Sequence, residues 1–207
     1  DTEIFPEFDK SLEADLRTSL NIFLDEAIWQ NAGADFRTLF SANHLPMNTR
    51  LARLYGARHH GTPPGFSPAS FTGQKRAGLL THPYLLMLYS YHNSTSPIHR
   101  GVFVTRHLLG RSLKPPPEAV VFKDEEFPAN LTMREKVTQL TKADACMTCH
   151  GILNPLGFSL EQFDSIGRRR DPEKGKPIRT ASDYLTADGS PLHISGPSDL
   201  AHHAMQN

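Results

Sequence analysis

The sequence predicts a mainly helical protein with a small β-hairpin near its C-terminal end. Three observations carry this reading. Apolar residues recur every four positions from Phe8 to Ile28. Helix starts are written at Ser96-Pro97 and Thr132-Met133-Arg134-Glu135. After residue 172 the pattern changes, and two short apolar runs flank Asp188-Gly189.

The elements follow in order. Phe8, Leu12, Leu16, Leu20, Leu24 and Ile28 form the stripe of a first helix, stopped by Asn31-Ala32-Gly33. Asp35 caps a short helix over Phe36–Ser41, and Asn48 a second over Arg50–Tyr55, closed by Gly56. Between Gly56 and Gly73, Pro63-Pro64-Gly65 and Pro68 mark a loop or domain seam. Apolar, partly helical sequence runs from Leu79 to Tyr91. Ser96-Pro97 opens a helix that Gly110 ends, and Pro115-Pro116-Pro117 makes an extended spacer. The Thr132–Glu135 capping box starts a helix that runs into the cysteine motif described below. Asn154-Pro155 starts the next, with Leu156, Leu160 and Phe163 on one face until Gly167. The hairpin falls within residues 178–195, and a short final helix begins after Ser198. No internal repeat is visible.

Composition narrows the function classes. The 207 residues carry 22 basic and 22 acidic side chains, which argues against an electrostatic nucleic-acid footprint. Hydrophobic residues make up 38%, enough for a core, but the longest apolar run is broken by Thr81, His82, Pro83 and Ser90. That run is too short to cross a membrane. The chain opens on Asp1 with no basic-then-apolar leader, as a processed protein or a fragment would.

Only two cysteines are present, and they lie in Cys146-Met147-Thr148-Cys149-His150. This C-x-x-C-H spacing fits covalent haem attachment. Each thiol adds across a haem vinyl group to form a thioether, and the adjacent histidine ligates the iron through an imidazole nitrogen. Three other uses of the cysteines compete. A zinc site would need remote histidines, because there is no second cysteine pair. A redox dithiol needs a strand-to-helix setting. A disulfide between positions three apart would constrain little chain.

The segment ACMTCHGILNPLGFSLEQFDSIGRRR resembles the haem segment of the planctomycete-type cytochrome c domains, modules of large secreted bacterial proteins. RAGLLTHPYLL, STSPIHRGVFVTRHLLG and KPPPEAV resemble the same module. FRTLFSANHLPMNTRLARLYG resembles the end of a preceding domain, and LTADGSPLHISGPSDL the start of a following one. The resemblance implies a cytochrome c-like helical haem module over residues 73–171. Residues 1–72 would then end one domain, and residues 172–207 would begin another. It further implies one haem c, a periplasmic or extracellular location, and a longer protein whose other domains, or a separate redox protein, are its partners.

The far side of the iron is less defined. Downstream of the pentad, Met205 is the only methionine, and Met147 inside it cannot reach the opposite face of the same iron. Upstream stand Met47, Met87, Met133, His44, His82, His92, His99 and His107. His82 leads on its apolar flanks Leu79, Leu80, Tyr84 and Leu85, and His99 follows on its place in the first turn after Ser96-Pro97. His59-His60 and His202-His203 read as solvated pairs. Phe158 and Phe163 read as an apolar wall beside the haem, and Arg168, Arg169 and Arg170 as partners for propionates, an acidic protein, or a solvated helix end. Glu161 and Asp164 read as surface carboxylates.

Two leading functions follow. One is an electron-transfer module with both axial positions filled. The other is a haem enzyme, peroxidase- or oxidase-like, with an open distal position. A binding module with a structural haem is a third. His99-Arg100 does not make a distal peroxidase pair, because neighbours on a helix point in different directions.

Overall fold

Asp9 starts α1 (Lys10–Asp25) by accepting the Leu12 amide at 2.6 Å, which satisfies one of the donors a helix start leaves open. Leu12, Leu16, Leu20 and Phe23 bury one stripe of it. Beyond Asp25 the coil widens into a π turn, Glu26–Gln30, which carries Ile28 and Trp29 out of the stripe to 40% and 78% exposure. The computed structural model describes residues 3–30, 35–62, 64–113 and 122–206. The Asn31-Ala32-Gly33 stop and the Pro115-Pro116-Pro117 spacer lie outside the described residues.

The fold class differs from the expectation. Residues 44–70 contain a sheet: β1 (His44–Met47), β2 (Arg58–His59) and β3 (Ser67–Ser70), antiparallel, in the order β1-β3-β2. With a second sheet near the C-terminal end, the protein is a mix of α and β, not a mainly helical module with one hairpin. The prolines misled. Pro46 stands opposite Pro68 in register, where neither nitrogen can donate, and both carbonyls turn outward. Pro46 O accepts from Ser19 Oγ on α1, and Pro68 O from the His60 amide at 3.2 Å. Two residues that read as strand breakers thus sit where the β1–β3 ladder asks for no donor.

Short helices α2 (Thr38–Ser41) and α3 (Thr49–Leu54) flank β1, and Asn48 caps α3 by accepting the Leu51 amide at 2.9 Å. A 3₁₀ turn, Gly78–Thr81, leads into α4 (Pro83–Leu88). Ser96 and Pro97 open α5 (Pro97–Phe103), which runs on into a second π turn, Val104–Leu108. The capping box of Thr132 and Glu135 forms and starts α6 (Met133–Leu140).

Helix α6 does not enter the pentad. Residues 141–143 separate it from α7 (Asp144–Phe158), which holds the whole motif and has Pro155 inside it. Pro155 costs α7 one hydrogen bond to the carbonyl four residues earlier, yet the helix continues for another turn. It then stops at Phe158. Leu160 and Phe163 are buried, but from the turns that follow.

The C-terminal stretch pairs β4 (Ser182–Leu185) with β5 (Pro191–Ile194) and ends in α8 (Pro197–Gln206). One core joins Leu12 and Leu16 of α1, Leu45 and Met47 of β1, Leu156 of α7, Tyr184 and Ile194 of the hairpin, and Leu200 of α8. No helix among the described residues is long and apolar enough to cross a membrane.

Candidate functional site

Two glycines place the helix that carries the pentad. A Cβ on Gly101 of α5 would lie 2.2 Å from Leu153 O, and one on Gly157 of α7 would lie 1.9 Å from Pro97 O. Only glycine lets the two backbones approach this closely, so α5 is pressed against α7 at Leu153 and Gly157. At about 100° per residue, Cys146, Cys149 and His150 lie within about 60° of Leu153 on the helix surface. The two thiols and the imidazole therefore share a face of α7, upstream of the crossing. Both thiols are free and partly exposed, and Ala145, Met147 and Thr148 around them are exposed.

His150 is half-buried and hydrogen-bonded on one side. Its Nδ1 lies 3.0 Å from Oδ1 of Asn154, one turn further along α7. The Asn154 amide donates to Thr141 Oγ1 at 2.9 Å, and that hydroxyl donates to Val137 O at 2.8 Å. Asn154 and Thr141 are both buried. Reading Asn154 as a helix start missed this chain, although the His-x-x-x-Asn spacing puts the two side chains on one helical face.

The two leading distal candidates are elsewhere. His82 is fully buried and caps α4: its Nδ1 accepts the Tyr84 amide at 3.3 Å, and its Nε2 lies 3.2 Å from Ser19 Oγ. The ring also packs against Phe23 at 6.1 Å. Burial, helped by the Arg76 charge, holds it down to about 3, so the ring stays neutral. Both nitrogens face partners in the α1–α4 core, away from the pentad. The apolar flanks that nominated His82 mark a packed helix end. His99 is exposed, its ring 5.2 Å from Tyr91, and it lies about 160° around α5 from Gly101, which faces α7.

The other candidates scatter. His44, His92 and His107 are exposed, and Met47 is in the core under α1. Met133 packs with Val137 and Phe158 in a smaller cluster. His59 bonds Met47 O at 2.8 Å and Ser67 Oγ at 2.9 Å, so it ties β1 to β3 and is not a solvated residue. Among the described residues, no group of three or more His, Cys, Asp or Glu is placed to hold a metal ion, as a zinc site here would require.

The groups expected to flank the haem are committed to other partners. Phe163 lies in the main core with the Arg76 guanidinium 4.8 Å from its ring, and Phe158 has Arg134 at 4.4 Å. Arg168 pairs with Asp164 at 2.9 Å, and Arg170 with Glu161 at 3.1 Å and Glu173 at 3.2 Å; Arg169 alone is exposed. Glu161 is not a surface carboxylate. It is 1% exposed, bonded to Thr95 Oγ1 at 2.8 Å and facing Arg100 at 3.5 Å. Burial pushes its carboxyl above the usual range, against the pull of Arg100 and Arg170. Arg100, itself 1% exposed, donates to the carbonyls of Leu86, Leu160, Phe163 and Asp164.

Residues 76–173, which include the pentad, match the family PSCyt3, a protein of unknown function (DUF1588). Residues 1–57 match PSD4, a protein of unknown function (DUF1592). Both are planctomycete cytochrome c-type domain families, and the presence of both along this chain points to a multidomain protein. No curated protein and no solved structure matches the chain.

Proposed function

We propose that the chain carries one haem c and serves as an electron-transfer module of a secreted or periplasmic multidomain protein. One observation carries the reading: Cys146, Cys149 and His150 share one face of α7, with both thiols free and His150 hydrogen-bonded through Nδ1 only. The donor set fits the group. Two thiols would form the thioethers, and Nε2 of His150 would ligate the iron. Haem, when bound, supplies one-electron exchange between ferric and ferrous iron. The chain's own part is to fix the attachment face through the glycine contacts of α5 and α7, and to hold the imidazole from behind.

A second reading, a haem enzyme with an open distal position, gains from the placement of His82 and His99. Neither is turned toward the pentad face, which supports a distal position that these two residues do not fill. One set of optical spectra tests both readings. The protein, matured in a periplasm, should keep its haem through acid-acetone extraction, show a low-spin ferric spectrum and, once reduced, a ferrous spectrum that carbon monoxide does not perturb. Loss of the haem to solvent, or its absence, overturns the attachment. A high-spin ferric form that binds carbon monoxide readily after reduction replaces electron transfer with the enzyme reading.

A further inference from the structure

We infer that Asn154, anchored by Thr141, is a positioning residue that fixes the tautomer of His150 and strengthens it as an iron ligand. This inference rests on the haem reading above. Thr141 directly follows the last residue of α6. Thr141 Oγ1 lies 2.8 Å from Val137 O, one turn back, and its single proton is used there. Toward Asn154 the hydroxyl oxygen can therefore only accept, and it does so from Nδ2 at 2.9 Å. That contact fixes which way the amide points. Its carbonyl end, Oδ1, faces His150 Nδ1 at 3.0 Å. A carbonyl oxygen only accepts, so Nδ1 must carry the proton, and Nε2 is left with a bare lone pair.

Burial keeps the chain of contacts in place. Thr141 is 3% exposed and Asn154 6%, so water does not compete for the amide. A free neutral histidine in water prefers its proton on Nε2, the wrong nitrogen for a ligand that must use that atom. Asn154 reverses the preference before any iron is bound. An acceptor on Nδ1–H also increases the electron density of the ring, which favours ferric over ferrous iron. Asn154 does not touch the metal; it acts through His150.

The test compares Asn154→Asp, Asn154→Leu and Thr141→Val in the haem-loaded protein, and the ring nitrogens of His150 in the haem-free chain. Asp offers a stronger acceptor and should lower the reduction potential; Leu removes the acceptor and should raise it. Thr141→Val should raise it less than Leu, with the spin state unchanged. Shifts of the same sign for Asp and Leu, or no shift in either, overturn the inference. If the Leu variant does not fold, the Asp variant against the unsubstituted protein decides by the same sign. In the haem-free chain at alkaline pH, nitrogen NMR should find the proton on Nδ1 of His150, and on Nε2 after Thr141→Val or Asn154→Leu. A proton already on Nε2 in the unsubstituted chain defeats the inference whether or not haem binds. Absence of covalent haem from the matured chain defeats the haem reading, and with it the role of Asn154 at a haem ligand.

Discussion

Helix α4 is fastened at both ends, whereas the first half of α7 is left open. At the start of α4, His82 accepts the Tyr84 amide while Ser19 holds its other nitrogen; near the end, Leu86 O receives Ser90 Oγ at 2.7 Å and Arg100 at 3.3 Å. Helix α7 begins at Ala143 with no side-chain cap, and residues 144–149 are exposed or only partly buried. Only from Leu153 onward is it buried, where the glycine contacts with α5 begin. The lesson concerns valence. A histidine whose two nitrogens are both engaged in a core has finished its chemistry, and one with a single engaged nitrogen on an open face has not.

The fastened side should fail first when its groups are removed. Arg100→Met takes one donor each from the carbonyls of Leu86, Leu160, Phe163 and Asp164 and leaves Glu161 paired with Arg170. Breaking a buried pair from one side costs about 3–5 kcal/mol. Urea unfolding should report a loss of that size, and a loss below about 1 kcal/mol would mean that solvent reaches this network.

A smaller effect should appear on acidification. His82 is held down to about 3 in the fold and returns to the ordinary imidazole value of 6.5 in the unfolded chain. Between those values the unfolded state binds the extra proton, so stability is intact above pH 6.5 and falls as the pH drops toward 3. At pH 5 the loss from this one group is about 2 kcal/mol. His82→Asn keeps a cap acceptor without a titrating ring, so its stability should lack this part of the acid fall. Parallel curves for the two proteins between pH 7 and pH 5 would show that His82 is not buried neutral.

What was legible in the sequence follows the strength of local signals. The Leu12–Leu20 part of the Phe8–Ile28 stripe, the Asn48 cap and the Thr132–Glu135 box act within a few residues, and each formed as written. The first sheet was not legible, because its strands are two to four residues long and its prolines read as breaks until their register is known. Glu161 looked like a surface carboxylate because its partners, Arg100 and Thr95, lie more than sixty residues away in sequence. The pentad stood out because its spacing is itself the signal. The support behind His150 was half visible: Asn154 is one turn away, but Thr141 lies outside α7, in the link that follows α6.

At His150, stability and spectrum part company. His150→Ala removes a half-buried ring whose one hydrogen bond is to Asn154, on a stretch of α7 that packs little. Asn154 keeps Thr141 as a partner, so the fold loses no buried network. Unfolding of the haem-free chain should therefore shift by no more than about 0.5–1 kcal/mol, far less than for Arg100→Met. The spectrum should change the other way: the substituted protein should fail to mature, or lose the low-spin ferric bands that Arg100→Met retains in whatever fraction stays folded. A His150→Ala protein as unstable as Arg100→Met would place His150 among the structural histidines with His82. An unchanged haem spectrum would remove it from the iron.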